Sequence, residues 1–333
     1  MKTTDPTKPA KKLGLVVGKF YPPHKGHHFL IDTAQRHCDE LIIMVVEKKG
    51  QQPDGPTRVR WLKAVHPDVD IRLIEDIYDD DNSQAWADYS IKLLGRAPDI
   101  VFTSENYGDT WARLMGSGHM LVDLERKVVP VSASMVRANP LEKWEFLDPP
   151  VRANYAKRVV VAGAESTGKT TLVKALAKHY ATSWVPEYGR MYTYGKVTSS
   201  PGAEWDSSEF SFIAGEQNRL EDKLAGYSNK LLICDTDSLA TAIWHEQFMG
   251  SWSKAVEKLF AERTYSLYLL TDYNIPHEQD DIRVGGTSRQ TMHQRFVQLL
   301  EKHQRPYKLV SGTPEERLKQ AIRECDGLLA DSH

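Results

Sequence analysis

The chain has 333 residues, more than one hydrophobic core usually supports, so two domains of roughly 150 residues each are expected. Its composition is that of an ordinary globular protein, with 41% apolar and 26% charged residues and a formal net charge of -2. This near-neutral balance disfavours any function that depends on a broadly basic surface, such as bulk binding of nucleic acid or membrane.

The cysteines and the apolar runs narrow the class further. Cys38, Cys234 and Cys325 are widely spaced and form no C-x-x-C pair, so the sequence predicts neither a disulfide framework nor a zinc site. No apolar run approaches the ~20 residues that span a bilayer, and the charged first dozen residues are not followed by the apolar core region of a signal peptide. We therefore expect a cytoplasmic protein without membrane insertion.

The first half alternates apolar runs with helix-like stretches. Strands are predicted at residues 13 to 20, 41 to 47, 69 to 75, 99 to 105 and 127 to 132, and the stretches TRVRWLKAV and SQAWADYSIKLL can form the helices between them. Such alternation is typical of a doubly wound parallel sheet.

The second half repeats this pattern. Strands are predicted at RVVVA (residues 158 to 162), then at residues 183 to 188, 230 to 237, 264 to 272 and 307 to 312. Prolines at 140, 149 and 150 interrupt the regular pattern between the halves. The prediction is an α/β chain of two doubly wound parallel-sheet domains, covering residues 11–145 and 156–330.

The first candidate site is the loop GKFYPPHKGH at residues 18 to 27, where the first strand passes into a helix. Ligands of open α/β sheets bind at the carboxyl ends of the strands, and a helix N-terminus there favours anions. His24 and His27 can donate hydrogen bonds to phosphate oxygens that gain charge during transfer, and Gly18 and Gly26 let the backbone approach closely.

A second segment, VSASMVR at residues 131 to 137, follows the last predicted strand of this half. The hydroxyls of Ser132 and Ser134 can cap a helix, and Arg137, on its first turn, can reach the β- and γ-phosphates of a nucleotide. Alone this pattern is also typical of an ordinary cap beside a solvated arginine.

Together the two segments resemble the H-x-G-H and I-S-x-T-x-x-R signatures of the nucleotidyltransferase superfamily, in particular nicotinamide-mononucleotide adenylyltransferases. This chain has Val131 and Ser134 where the family commonly has isoleucine and threonine. The resemblance implies that the mononucleotide phosphate attacks the α-phosphorus of ATP directly, with pyrophosphate leaving and Mg2+ assisting. It implies ATP contacts by Gly18, Lys19, Phe20, His24, Gly26, His27, Ser132, Ser134 and Arg137, with charge added by Arg58 or Arg60.

Two further segments are candidates for the acceptor side. Asn82 and Trp86 resemble the place where relatives stack a tryptophan on the nicotinamide ring, and an indole face suits a cationic pyridinium. Ser104, Glu105 and Tyr107 follow a predicted strand and can contact the substrate. The alternatives are that Trp86 is part of the core and that SENYG is an ordinary turn.

The second candidate site is GAESTGKT at residues 163 to 170, which fits the P-loop pattern between a strand and a helix. The backbone amides of Gly163, Glu165, Ser166, Thr167 and Gly168 can surround the phosphates of ATP. Thr171, in the helix that follows, is a further predicted ATP contact. Lys169 can bridge the β- and γ-phosphates, and the Thr170 hydroxyl can hold Mg2+.

A strand ending in Asp235 and Asp237 suits the remaining catalytic carboxylates. One can order the magnesium ion and the other can accept the proton of a substrate hydroxyl. The sequence does not decide between them, and either aspartate can instead cap a helix.

The segments PEYGR and NIPHEQDDIR resemble parts of the ribosylnicotinamide kinases that are fused to such adenylyltransferases. The resemblance implies substrate contacts by Glu187, Tyr188, Arg190 and Asp280, and stabilisation of the transferred phosphoryl group by Arg283 on a lid. The family's lid has tryptophan and glycine where this chain has His277 and Asp281.

The order of the two motif sets identifies the chain as a member of the bifunctional NadR-type family. The resemblance implies that ATP and nicotinamide riboside are converted to nicotinamide mononucleotide and then to NAD. Some members carry an N-terminal helix-turn-helix, but only about a dozen residues precede the first strand here, so we expect no DNA binding.

Two alternatives remain open at this stage. The pair of domains can act on another acceptor, such as a flavin or pantetheine phosphate, or the chain can be a nucleotide-sensing partner of a riboside transporter with weak catalysis. The sequence also leaves open a homo-oligomer.

Overall fold

The chain folds into two compact units that divide between Val151 and Arg152. The computed structural model describes residues 11–78, 82–274 and 288–330. Each unit contains a five-stranded, entirely parallel sheet with helices between the strands, which confirms the predicted α/β class. We call them unit 1 and unit 2.

The strands of unit 1 are β1 (Leu13–Gly18), β2 (Glu40–Glu47), β3 (Asp70–Glu75), β4 (Ile100–Thr103) and β5 (Gly118–Leu121). Its helices are α1 (Lys25–Gln35), α2 (Gly55–Val65), α3 (Ser83–Leu94), α4 (Gly108–Met115), α5 (Ala133–Ala138) and the 3-10 helix Trp144–Phe146. The sheet order is β3-β2-β1-β4-β5. The order therefore reverses between β1 and β4, which is where an open α/β sheet forms a ligand crevice.

The fifth strand differs from the prediction. KVVPVS at residues 127 to 132 is a loop, and β5 forms earlier, from Gly118 to Leu121. The carboxylate of Asp123 accepts hydrogen bonds from the amides of Val128 and Val129, and Pro130 has no amide to give to a ladder. Local side-chain hydrogen bonds thus replace strand pairing in this apolar segment.

The strands of unit 2 are β6 (Lys157–Ala162), β7 (Trp184–Val185), β8 (Leu231–Asp235), β9 (Leu267–Thr271) and β10 (Tyr307–Val310). Its helices are α6 (Pro149–Tyr155, which begins just before the division), α7 (Lys169–His179), α8 (Tyr188–Ser199), α9 (Ser207–Ala225), α10 (Ser238–Met249), α11 (Lys254–Ala261), α12 (Arg289–Lys302) and α13 (Pro314–Ala330).

The sheet order of unit 2 is β10-β9-β6-β8-β7. Strands β8 and β9 are buried along their whole length, as expected for parallel strands covered on both faces. Because β6 and β8 are parallel neighbours, the loop after β6 and the two aspartates at the end of β8 lie at the same edge of the sheet. Strand β7 is shorter than predicted, since Pro186 follows it and α8 begins at Tyr188.

Among the described residues, no helix combines the length and the apolar character needed to cross a membrane.

Candidate active sites

His24 begins helix α1 in unit 1 as its N-cap residue. Its Nδ1 accepts a hydrogen bond from the amide of Gly26 at 3.1 Å. A Cβ at Gly26 would lie 3.0 Å from the His24 ring, so the small residue permits this close cap. Since Nδ1 accepts, the proton of the neutral ring lies on Nε2.

The ring of His27 stacks on that of His24, with 3.8 Å between the ring centroids. Burial lowers the pKa of His24 to about 3 and lowers the pKa of His27 well below its ordinary value. Both rings are therefore neutral at pH 7 in the free protein, and each has one N–H to donate. Neutral donors of this kind can stabilise charge that develops on a phosphate during transfer.

A cavity of about 590 Å³ opens beside this pair, at the crevice between β1 and β4. Predicted site residues on its wall are Gly18, Lys19, Phe20, His27, Trp86, Ser104, Glu105 and Tyr107. Segments that are distant in sequence thus meet around one space, with a size suited to a small ligand.

Trp86 forms part of an aromatic cluster at one end of the cavity. Its ring meets those of Tyr78 and Tyr89 edge to face, at centroid distances of 5.7 and 6.1 Å. Trp86 is therefore both packed against neighbours and open to the cavity. Asn82 caps α3 by accepting from the amide of Ala85.

Asp76 also lines the cavity and was not predicted. Its carboxylate lies 3.4 Å from the Lys19 ammonium. Asp76 follows β3, so its position at the carboxyl edge of the sheet is the sequence signal that indicates it.

Arg58, a predicted ATP-side residue, is enclosed by backbone carbonyls. Its side chain is fully buried and donates to the carbonyls of Lys19, Val46 and Asp54 and to the side chain of Gln51. Arg58 thus holds the loop that follows β1 onto β2.

The VSASMVR segment forms the short helix α5, with Ser132 as its N-cap. The Ser132 hydroxyl accepts from the amide of Met135 and lies 2.9 Å from the hydroxyl of Ser134. Arg137 lies in the last turn of α5, not the first, and donates to the Tyr21 carbonyl. Its guanidinium carbon is 4.9 Å from the centre of the Tyr21 ring, so α5 contacts the loop that carries His24.

The loop after β6 in unit 2 has the backbone of an anion-binding nest. Ser166 and Gly168 adopt left-handed conformations, with φ of 52° and 76°. Lys169, the first residue of α7, donates to the Ala164 carbonyl at 2.7 Å. The buried Thr167 hydroxyl donates to the same Ala164 carbonyl, and its oxygen lies 2.7 Å from the hydroxyl oxygen of Thr271. Thr171 is exposed on α7 and does not line the cavity of this unit.

Asp235 and Thr170 lie side by side at the carboxyl edge of the sheet. The Thr170 hydroxyl donates to Asp235 Oδ2 at 2.6 Å, while Asp235 Oδ1 is buried and has no hydrogen-bond partner among the described residues. Burial raises the pKa of the Asp235 carboxyl. A hydroxyl and a carboxylate with an unused buried oxygen fit the oxygen ligands that Mg2+ requires.

Both carboxylate oxygens of Asp237 have hydrogen-bond partners within the protein. It caps α10, accepting from the Ala240 amide, and its other oxygen accepts from the Tyr268 hydroxyl at 2.6 Å. Burial raises the pKa of Asp237 to about 6. The two aspartates thus differ in their surroundings: Asp235 keeps an oxygen without a hydrogen-bond partner among the described residues, and both oxygens of Asp237 accept hydrogen bonds.

Alanine substitutions at these two aspartates are expected to have different effects. Asp235→Ala should raise the Mg2+ concentration needed for half-maximal kinase rate, because it removes the carboxylate beside Thr170. Asp237→Ala should leave that concentration unchanged and lower the free energy of unfolding by about 2–4 kcal/mol, since it removes a cap and isolates the buried Tyr268 hydroxyl. Magnesium titration and chemical denaturation of both variants check this, and equal effects on the Mg2+ dependence would contradict it.

A cavity of about 130 Å³ adjoins the P-loop of unit 2. Four predicted residues besides Gly163 lie on its wall: Glu165, Lys169, Glu187 and Arg190. Tyr188 does not line it; its amide donates to Gln217 and its ring meets that of Phe212. Asp280 and Arg283, with the rest of the predicted lid core, lie outside the described residues.

An aromatic wall of this second cavity was not predicted. It is formed by Trp205, Phe210, Trp244 and Phe248, and the Trp205 and Phe248 rings lie 5.3 Å apart. These residues come from α9, α10 and the segment before α9, and no local motif distinguishes them from core aromatics. Only their meeting in three dimensions reveals them.

The two units match different family profiles. Residues 15–139 match a family described as Cytidylyltransferase-like, and residues 158–317 match one described as AAA domain. The trifunctional NAD biosynthesis/regulator protein NadR of Escherichia coli (strain K12) is 30% identical over 317 residues, covering 88% of this chain and 77% of that protein. Its counterpart in Salmonella typhimurium (strain LT2) is 29% identical with the same coverage.

Solved structures agree in fold. The crystal structure of a NadR protein in complex with NAD and AMP-PNP superposes with a TM-score of 0.76 at 20% identity, covering 95% of this chain and 96% of that one. The crystal structure of a NadR protein in complex with NR gives a TM-score of 0.73 at 19% identity, with the same coverage. Fold and sites define a two-domain protein with a nucleotidyltransferase-like unit followed by a P-loop unit. The chain belongs to the NadR family.

Proposed function

We propose that the chain makes NAD from nicotinamide riboside in two ATP-dependent steps. Unit 2 phosphorylates nicotinamide riboside to nicotinamide mononucleotide, and unit 1 transfers the adenylyl group of a second ATP to that mononucleotide. The observation that carries the proposal is the presence, in one NadR-family chain, of a histidine pair beside one cavity and a P-loop beside another.

In unit 1 the reaction needs no side-chain nucleophile. The phosphate of the mononucleotide attacks the α-phosphorus of ATP, and pyrophosphate leaves. His24 and His27 donate hydrogen bonds to oxygens whose negative charge grows during this attack. Burial keeps both rings neutral, and each has one N–H to donate. Lys19 and Arg137 add positive charge for the departing phosphates, and Trp86 offers its ring to the pyridinium.

In unit 2 the terminal phosphoryl group of ATP passes to a hydroxyl of the riboside. The nest of residues 163 to 168 binds the phosphates, and Lys169 moves from the Ala164 carbonyl to their oxygens. Mg2+ held by Thr170 and Asp235 would neutralise charge on the phosphates. Glu187, on the cavity wall, offers a carboxylate for the hydroxyl proton, and the aromatic wall suits a cationic pyridinium.

A panel of acceptors tests the proposed substrate. The purified chain is incubated with ATP, Mg2+ and one acceptor: nicotinamide riboside, nicotinamide mononucleotide, riboflavin phosphate or phosphopantetheine. Mass analysis should find ADP, the mononucleotide, pyrophosphate and NAD from the riboside, and NAD and pyrophosphate without ADP from the mononucleotide. A dinucleotide formed from riboflavin phosphate or phosphopantetheine, with none from the mononucleotide, would refute it.

Substitution of Trp86 tests the acceptor side of unit 1. Trp86→Ala should raise the KM for nicotinamide mononucleotide about fivefold or more, the loss expected when a pyridinium loses about 1 kcal/mol of contact with an indole face. Trp86→Phe keeps a ring and should show a smaller increase. Steady-state kinetics with each substrate varied in turn checks this, and an equal rise in the KM for ATP would show a general loss of packing with Tyr78 and Tyr89 instead.

A further inference from the structure

A chain of three polar side chains lies against the cavity of unit 1 and has no part in the mechanism above. The Asp109 carboxylate pairs with Nδ1 of His119, and Nε2 of His119 lies 2.8 Å from the Thr103 hydroxyl. Thr103 is the last residue of β4, is 2% exposed and lines the cavity. These contacts thus connect an exposed carboxylate, through a mostly covered imidazole ring, to the wall of the cavity.

The Thr103 hydroxyl also reaches the turn that follows β4. It donates to the carbonyl of Glu105 at 3.1 Å, which closes the backbone over residues 103 to 105. A hydroxyl has one proton, and a carbonyl can only accept. Since the Thr103 hydroxyl donates its proton to Glu105, its oxygen remains free to accept from Nε2 of His119.

The backbone next to these three side chains comes very close to them. A Cβ at Gly108, the first residue of α4, would lie 2.3 Å from both His119 Nε2 and Thr103 Oγ1. The start of α4 therefore approaches the hydrogen bond so closely that only glycine fits. Asp109, the next residue, supplies the carboxylate that pairs with His119. Gly108 leaves room for the contact between His119 and Thr103, so these two consecutive residues serve the same hydrogen-bonded group.

The segment held by these three side chains carries residues that are predicted to contact the acceptor. Ser104, Glu105 and Tyr107 all line the cavity, and each lies between Thr103 and the start of α4. The ATP-side loop with His24 and His27 belongs to the other side of the crevice, after β1. A group that fixes residues 104 to 107 should therefore influence the acceptor more than ATP.

We infer that His119 is a positioning residue for acceptor binding: held by Asp109, it orients the Thr103 hydroxyl, which fixes the turn of residues 104 to 107 on the cavity wall. The inference rests on the proposed adenylyl transfer by unit 1. It adds Thr103, His119 and Asp109 to the groups that determine how the mononucleotide binds, without giving any of them a part in bond making.

Thr103→Val and Thr103→Ser form a matched pair for the test. Valine keeps the shape and β-branching of threonine but has no hydroxyl, while serine keeps the hydroxyl. With nicotinamide mononucleotide and ATP varied in turn, Thr103→Val should raise the KM for the mononucleotide about tenfold, the loss expected for one hydrogen bond. The KM for ATP should change by less than about twofold, and Thr103→Ser should restore the mononucleotide KM to within about twofold of the parent value.

A double-mutant cycle separates positioning through Thr103 from a general structural effect. His119→Ala alone should raise the mononucleotide KM as Thr103→Val does, and the double variant should show no further rise, because both changes break the same chain. Equal rises in the KM values of both substrates, or additive effects in the double variant, would overturn the inference.

Amide hydrogen exchange supplies a readout that needs no substrate. In the free protein, exchange in a peptide covering residues 104 to 107 should be faster in Thr103→Val than in Thr103→Ser. Unchanged exchange in Thr103→Val would overturn the inference even if the parent protein makes NAD. If exchange differs between the two variants as expected but the parent protein makes no NAD from the mononucleotide, the proposed function is overturned. The positioning of residues 104 to 107 would then still stand.

Discussion

Lys169→Ala is expected to lower the rate of riboside phosphorylation by about 100-fold or more, as loss of a group that stabilises transition-state charge usually does. The ammonium begins α7 at the nest of residues 163 to 168, where it can follow the charge of the transferred phosphoryl group. The rate of NAD formation from supplied nicotinamide mononucleotide should stay within about twofold of the parent rate, because unit 1 has its own sheet and its own cavity. Initial rates of the two half-reactions check this.

Lys178→Ala is the matched control for this variant. Lys178 lies in the last turn of the same helix, is exposed and is remote in sequence from the nest. Both rates should be unchanged in Lys178→Ala. Loss of both activities in Lys169→Ala, in a protein that remains folded, would contradict two separate sites.

His27→Ala is expected to have the reverse effect. It should lower kcat for adenylyl transfer by about 100- to 1,000-fold, the range for removing one preorganised donor from a site of developing negative charge. His27 lines the cavity and stacks on His24, so the change removes a donor and loosens its neighbour. Riboside phosphorylation by unit 2 should be unaffected.

His37→Ala controls for the loss of a histidine from unit 1. His37 is exposed and its ring contacts the Thr33 carbonyl, away from the cavity walls. Both activities should persist in this variant. A His27→Ala protein that adenylylates the mononucleotide at the parent rate would show that the histidine pair is structural.

Much of the fold follows from sequence patterning because parallel strands in a doubly wound sheet are buried on both faces. Continuous apolar runs such as LLIC before Asp235 therefore indicate strands directly. KVVPVS misleads for the same reason: it is as apolar as a strand, but the carboxylate of Asp123 and the missing amide of Pro130 favour a loop. Hydropathy does not encode this competition for backbone amides.

Some residues of the candidate sites can be recognised from the sequence, and others only from the structure. His27 and Lys169 lie in contiguous motifs whose backbone shape is local, so spacing alone identifies them. The burial of Arg58 and its hydrogen bonds to carbonyls have no local signal, because a surface arginine and a buried arginine can have the same neighbours in sequence. The different surroundings of Asp235 and Asp237 are likewise invisible in the sequence, because Thr170 and Tyr268, which contact them, are distant along the chain. Contacts between distant segments decide such roles, and one sequence does not specify them.

The central claim is that one chain uses two ATP molecules differently, taking the terminal phosphoryl group at one site and the adenylyl group at the other. The most direct test supplies nicotinamide riboside with ATP whose terminal phosphoryl oxygens are isotopically heavy, and determines the mass of the NAD formed. NAD should retain the heavy phosphoryl group next to its nicotinamide riboside half and carry an unlabelled adenylyl group. NAD without heavy oxygen, or heavy mononucleotide that never becomes NAD, would contradict the account.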